Sequence, residues 1–366
     1  AYLGFYGAIE PNDYGLDEFM RMCDYLETDV MMMVNTGLGS IEDGQDLVEY
    51  CNGSVSTEYG QLRAENGHSE PYDIHHWGVG NEMFGNWQLG YVPLSEYVIR
   101  HNAFSEAMLA VDPTILLIAS GNNHSSWTDG LLQHSSEYMD YSAEHLYALR
   151  DETNVFNHLN NVRSNLAGRI QNHRDMQIKY RNSGAEDIFM ALTEYAYSEV
   201  ICPSRLKDGL GIGVYMNLLI NNADVVKLAN YSSTVNATQG CITTTNTEAV
   251  MQGSGYALKL FRNYMESIAV TSYSQYSAEL QLDVSAAISE DGETLTVAVV
   301  NPSEYHVRLQ GNILTDLPVT SRYTFTGDFF DSFNSPQKAE LYEIHENNEA
   351  YAVAPAMSLT IFVFDL

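Results

Sequence analysis

The chain has 366 residues, of which 48 are acidic and 17 basic, so its formal charge is −31. A surface this acidic repels phosphate backbones and anionic membranes, which excludes nucleic acid and membrane surfaces as general partners. Hydrophobic residues make up 45%, enough for a packed core, and no apolar run approaches the roughly 20 residues needed to span a bilayer.

The length suits a large α/β domain and a smaller second one. The charge is distributed, with 14 acids and 3 bases in the last 100 residues, so it reads as a solvated face and not a tail. Cys23, Cys51, Cys202 and Cys241 lack CxxC spacing, which argues against zinc and for buried thiols. One or two disulfides are expected only if the protein is exported. Asn52, Asn123, Asn230 and Asn236 begin N-x-S/T sequons. Together with only 5 lysines, they tilt the expectation toward an extracellular glycoprotein over a cytoplasmic protein.

The first 230 residues alternate short apolar runs with amphipathic stretches. A helix is expected over 17–27, with Phe19, Met22, Cys23 and Leu26 on one face. Residues 30–34 read as a buried strand with Met31, Met32 and Met33 in the core. A helix over 42–50 and a polar connection lead to a second strand over 75–80. Pro93 opens a helix that runs to 110, and Asp112-Pro113 ends it. Further strands are expected over 115–119, 141–147, 188–193 and 225–230, and further helices over 130–138, 155–180 and 209–221. This alternation predicts a parallel sheet covered by helices. Polar and aromatic residues gather at the strand ends, as on the active face of a (β/α)8 TIM barrel. Six strands of eight are counted, so the barrel starts from about its third strand and lacks the first two. After residue 266 strands alone are expected, over 268–273, 295–300, 307–309, 351–354 and 359–364. Glu290-Asp291-Gly292 and Asn301-Pro302 supply turns. The expected domains are a partial barrel over 1–266 and an all-β C-terminal sandwich over 267–366.

Two stretches carry chemistry. In Trp77-Gly-Val-Gly-Asn-Glu-Met-Phe-Gly-Asn-Trp-Gln88 a strand ends in Asn81-Glu82 among glycines and aromatics. Glycines let backbone approach a ligand, and indoles offer faces for a sugar ring. In Ala191-Leu-Thr-Glu-Tyr-Ala-Tyr197, Glu194 ends a second strand. Two glutamates on two strand ends of one barrel supply the proton donor and the nucleophile or base of glycoside cleavage. The plainer reading of Glu82 is a cap on the next helix. His145 and Tyr147 alternate on one strand and share a side. They suit a sugar or carboxylate contact, although a satisfied buried histidine fits His145 equally well. His75 and His76 open their strand and read as structural. Asn35 closes the first strand. No GxGxxG, phosphate-binding loop or GxSxG is present.

These residues resemble the α-L-arabinofuranosidases of glycoside hydrolase family 51. The resemblance runs over nearly the whole chain, and Trp77-Gly-Val-Gly-Asn-Glu82 is its most specific element. Others are Asp13-Tyr-Gly-Leu-Asp-Glu-Phe-Met20, Glu144-His-Leu-Tyr147, Lys207-Asp-Gly-Leu-Gly-Ile212 and Ala229-Asn-Tyr-Ser-Ser-Thr-Val-Asn236. The resemblance implies a retaining glycosidase that releases terminal α-L-arabinofuranosyl residues, with Glu82 as acid/base and Glu194 as nucleophile. It implies that Asn81 bonds the sugar 2-hydroxyl, that His145 and Tyr147 line the subsite and hold Glu194, and that Trp87 and Gln88 shape the pocket. Asn35 joins them as a sugar contact. No metal or cofactor is implied, and the partner would be an arabinose-containing oligo- or polysaccharide.

The chain departs from the family pattern around the nucleophile, where Asp-Glu-Trp-Asn is replaced by Thr193-Glu194-Tyr195-Ala196. Ser233 stands where a glutamine is usual. The missing strands imply an absent N-terminal segment, a second chain that completes the barrel, or a homo-oligomer. These departures keep two alternatives open. One is another glycosidase of the same clan, a β-xylosidase or endoglucanase. The other is a non-catalytic carbohydrate-binding or structural glycoprotein on a hydrolase scaffold.

Overall fold

The computed structural model describes residues 2–3, 9–10, 12–184, 187–198, 203–237, 239–274, 280–311 and 317–366. The chain forms two compact units, residues 1–143 with 176–189 and residues 144–175 with 190–366.

The first unit opens with a hairpin of β1 (Tyr2–Leu3) and β2 (Ile9–Glu10). Helix α1 (Leu16–Tyr25) follows, its first turn held by Glu18 Oε2 accepting from the Gly15 N–H at 2.9 Å. Next come β3 (Met31–Val34), α2 (Ile41–Asn52), α3 (Glu58–Glu65), β4 (His76–Val79), α4 (Leu94–Val111), β5 (Leu116–Ser120) and α5 (Ser126–His134). A short 3-10 turn, Ser136–Tyr138, leads into β6 (Tyr141–Leu149). Strands β3, β4, β5 and the start of β6 pair in that order, all parallel. Their core holds Val34, Trp77, Val79, Phe104 and Met108.

Three expectations are corrected here. Met31, Met32 and Met33 are only half-buried. The reason is that β3 is the edge of the sheet among the described residues, so only one of its sides is covered by a strand. Helix α1 buries Met20 and Cys23, while Met22 and Leu26 are 43% and 54% exposed. Its apolar face is thus narrower than the spacing implied. Helix α3 was read as a connection, because its buried residues are Gly60 and Arg63 and not a hydrophobic stripe. Arg63 is fully buried and satisfies its guanidinium on the carbonyls of Tyr50, His68 and Ser69.

The second unit contains the rest of β6, most of α6 (Val155–Lys179) and nearly all of β7 (Phe189–Ser198). Then follow α7 (Leu206–Asn221), β8 (Val226–Tyr231), a hairpin of β9 (Ile242–Thr244) and β10 (Ala249–Met251), and α8 (Gly253–Tyr264). β7 and β8 are parallel. All six expected parallel strands are therefore present. The antiparallel part comprises β11 (Ile268–Val270), β12 (Asp283–Ile288), β13 (Thr294–Asn301), β14 (Val307–Arg308), β15 (Val319–Gly327), β16 (Leu341–Glu349), β17 (Val353–Ala354) and β18 (Ser358–Asp365). Six of these form one sheet in the order β11-β12-β13-β18-β15-β16, and β14 pairs with β17 as a ribbon. α7 and α8 pack on the sheet, so Leu210, Phe261, Val300 and Leu359 share one core.

Buried charge is paired in this unit. The fully buried Glu144 carboxylate accepts from Arg169 at 2.9 Å. Asp208, 1% exposed, accepts from Arg150 at 3.2 Å, lies 3.1 Å from His158 Nε2, and caps α7 by accepting from the Arg205 N–H at 2.8 Å.

Cys23, Cys51 and Cys241 are buried free thiols, as the spacing implied, and burial pushes the last two up to about 12 and about 11. Cys202 lies outside the described residues. Of the sequon asparagines, Asn123 is buried and Asn52 donates to Ile74 O and Asp112 Oδ2, while Asn230 and Asn236 are exposed.

His101 on α4 makes stability depend on pH. It is fully buried, and that desolvation lowers its pKa from 6.5 to about 4, partly offset by its bond to Tyr138 O. The unfolded chain takes up the proton first as pH falls, so stability is present above pH 6.5 and drains away toward pH 4. The loss over that window is about 3 kcal/mol. Urea midpoints at neutral and mildly acid pH measure it, and His101→Leu should flatten the dependence.

Candidate active site

In the first unit, β4 ends at Val79 and the chain turns at Gly80, whose φ is +82°. A Cβ there would lie 2.1 Å from Thr36 Oγ1, so both the backbone and the space require glycine. Glu82 also has positive φ, +44°, an uncommon state for a residue with a side chain. Such strain persists only where surrounding bonds hold it and gathers at functional positions. Glu82 O accepts from the Gly85 N–H at 2.7 Å, and the Met83 N–H donates to Ser120 Oγ at 3.1 Å. Gly80→Ala is expected to cost about 2 kcal/mol from clash and strain, and to lower activity by shifting Glu82. Thermal denaturation with parallel assays on one preparation checks both effects.

The Glu82 carboxylate is held by two donors. Trp87 Nε1 donates to Oε2 at 2.5 Å and Gln88 Nε2 to the same oxygen at 3.0 Å. The indole reaches it by folding over Gly85, where a Cβ would lie 2.4 Å from the ring. The helix-cap reading of Glu82 is not met, since the N-cap of α4 is Pro93. Beside this group lies a cleft of about 450 Å³ lined by Asn35, Leu38, Asn81, Trp87, Gln88 and Leu89, among others. Asn35 is exposed, and its Oδ1 accepts from the N–H groups of Gly37 and Leu38, which ties it to its own loop. A cleft of about 490 Å³ lies instead at the amino ends of β3 and β4, around His75 and His76. It is remote from the strand-end carboxylate, so the first cleft is the chemically relevant one.

In the second unit, Glu194 lies on β7 where pairing with β8 slips. Leu192 pairs with Ala229 and Tyr195 with Tyr231, so Thr193 and Glu194 together oppose Asn230. Such a bulge re-aims side chains. Tyr147 OH donates to Glu194 Oε2 at 2.5 Å and lies 2.9 Å from Ser232 Oγ. His145 Nδ1 is 3.6 Å from the same carboxylate oxygen, and Nε2 is 3.0 Å from Thr193 Oγ1. His145 and Tyr147 share a side of β6, as their spacing implied. Tyr195 and Tyr197 are fully buried and belong to the core. Ser232 and the Thr193–His145 contact were not singled out from the sequence. A hydroxyl pair after an apolar strand, Ser232-Ser233, was the available signal.

Two family models and the relatives that follow point to one family. A model described as the alpha-L-arabinofuranosidase 1 domain matches residues 1–165, and one described as the alpha-L-arabinofuranosidase C-terminal domain matches residues 199–361. A probable alpha-L-arabinofuranosidase C of Aspergillus clavatus is 28% identical, over 96% of this chain and 77% of its own. Among solved structures, the alpha-L-arabinofuranosidase of Thermotoga maritima in complex with arabinose superposes with a TM-score of 0.85 at 27% identity, covering 99% of this chain and 80% of that one. The family 51 enzyme of Thermotoga petrophila gives 0.81 at 27% identity, covering 99% and 81%. The chain belongs to the α-L-arabinofuranosidases of glycoside hydrolase family 51. It is a glycosidase, and its fold is the TIM barrel and C-terminal β domain of that family. The six parallel strands are barrel strands, and β11 to β18 make up the later β-rich region.

Proposed function

We propose that Glu82 is the general acid/base and Glu194 the nucleophile of a double displacement that frees a terminal α-L-arabinofuranosyl residue. Glu194 attacks the anomeric carbon while Glu82 protonates the departing oxygen. Glu82 then takes a proton from water, which releases the sugar from its ester with Glu194. The observation that carries this reading is the handling of each of the two carboxylates. Both take hydrogen bonds on Oε2 from side chains that orient them, Trp87 and Gln88 for Glu82 and Tyr147 for Glu194. Retention requires the two carboxyl groups to work about 5–5.5 Å apart.

In this reading Asn81 bonds the sugar 2-hydroxyl, His145 and Tyr147 line the subsite, and Asn35, Trp87 and Gln88 shape the cleft. The substrate class is an arabinose-containing oligo- or polysaccharide. An Acetivibrio thermocellus protein, 26% identical over 80% of this chain, is named an intracellular exo-alpha-(1->5)-L-arabinofuranosidase, and we extend exo action to this chain. We assign residues 1–266 to the catalytic barrel and 267–366 to the β domain, since parallel pairing ends with β8 and antiparallel pairing in the large sheet begins with β11.

Methanolysis of p-nitrophenyl α-L-arabinofuranoside, followed by proton NMR, tests the mechanism. Methyl α-L-arabinofuranoside is the expected first product. The β anomer, or no turnover of any aryl glycoside, overturns the proposal.

A further inference from the structure

We infer that Thr193 sets the tautomer of His145, so that the neutral imidazole presents its Nδ1–H to the nucleophile. The inference deepens the proposed function and rests on Glu194 being that nucleophile. His145 bridges two groups on β7, with Nε2 at 3.0 Å from Thr193 Oγ1 and Nδ1 at 3.6 Å from Glu194 Oε2. A neutral imidazole carries one N–H and one lone pair. With the proton on Nε2, the Nδ1 lone pair would face a carboxylate oxygen, and two electron-rich atoms would meet. With the proton on Nδ1, an N–H points at that oxygen, and Nε2 then needs a donor.

A hydroxyl meets this need. Thr193 is buried, 6% exposed, and its hydroxyl, 3.0 Å from Nε2, is the donor that this tautomer requires. A carboxylate at position 193 would only accept. It would draw the proton to Nε2, and Nδ1 would then carry a proton only in the imidazolium form. Valine would fill the same space and donate nothing. Threonine therefore lets a neutral histidine do what otherwise takes a charged one. The 3.6 Å approach is longer than a hydrogen bond and needs a small closure with substrate bound.

The arrangement suits the reaction. Glu194 is held by the Tyr147 hydroxyl and approached by the imidazole Nδ1, so on the inferred tautomer both groups are neutral donors. When Glu194 becomes an ester its charge disappears. A neutral neighbour then leaves no uncompensated cation behind, whereas an imidazolium at 11% side-chain exposure would. Thr193 is thus a positioning residue that acts through His145.

The test reads the tautomer directly, without substrate, so failure of the arabinofuranosidase reading would leave its outcome intact. The full chain is labelled with ¹⁵N in the histidine rings, and His145 is assigned by the signal lost in His145→Asn. At mildly alkaline pH the wild type should show Nδ1 protonated and Nε2 bare. Thr193→Ser should keep that pattern, and Thr193→Val and Thr193→Asp should shift the proton toward Nε2. On the aryl arabinofuranoside, Thr193→Val should lower kcat roughly tenfold with KM little changed, and Thr193→Ser should restore most of it. A wild-type proton on Nε2, or a Thr193→Val spectrum like the wild type, overturns the inference. If the valine variant fails to fold, the wild-type and Thr193→Ser spectra still decide it.

Discussion

Glu194→Ala should lower kcat on p-nitrophenyl α-L-arabinofuranoside by about 10⁴-fold or more, with KM little altered. In the proposed mechanism the variant removes the atom that bonds the anomeric carbon, and it leaves Tyr147, His145 and Thr193 in place. Its carboxylate is about a third exposed (30%), so the fold should survive the change. The vacated space admits a small anion. Added azide should restore part of the rate by attacking from the face that Glu194 used. The product is then the β-L-arabinofuranosyl azide, with inverted configuration. Recovery of the α azide from this variant would assign nucleophilic attack to another group.

Glu82→Ala should behave in the opposite sense. Loss of the general acid costs about 10²- to 10⁴-fold where the leaving oxygen needs a proton, as with an alkyl or sugar aglycone. A p-nitrophenolate needs little protonation, so its departure should stay fast. The second step loses its base, and a burst of nitrophenol should precede slow turnover. Azide needs no base, so it should intercept the ester on Glu194 and give the α azide. The two variants therefore give opposite anomers with the same anion. One shared anomer from both would remove the distinction between acid/base and nucleophile.

The barrel strands were legible because parallel strands are buried on both faces and read as apolar runs. Residues 115–119 are an example, observed as Leu116–Ser120. The glutamates were legible because each follows an apolar run, although β7 continues past Glu194 to Ser198, so that glutamate sits at a bulge within the strand and not at its end. What escaped was structure built from polar residues. Helix α3 buries Arg63 and shows no hydrophobic stripe, and in α8 the helical spacing of buried Ala257, Leu260 and Phe261 follows a Gly-Ser-Gly start that reads as a turn. Strands β12, β15 and β16 were missed for a related reason. β15 buries Arg322 and Thr324, and β16 runs Leu-Tyr-Glu-Ile-His-Glu-Asn-Asn-Glu. Their neighbours in the sheet supply the apolar cover. Within the site, the bulge that lets Thr193 and Glu194 share one partner has no local signature, because register belongs to two strands at once.

The holding of Glu82 by an indole also equips the protein with its own optical probe. Of the three tryptophans, Trp77 is fully buried and Trp127 is 8% exposed, while Trp87 is 65% exposed and bonded to Glu82. A neutral water-borne quencher such as acrylamide therefore reaches Trp87 far more readily than the other two. Emission lost to acrylamide reports the occupancy of the cleft, and its change with the charge on Glu82 follows the proposed acid/base through each half of the cycle. Stopped-flow fluorescence can thus time the departure of the aglycone and the release of sugar separately, with no added dye.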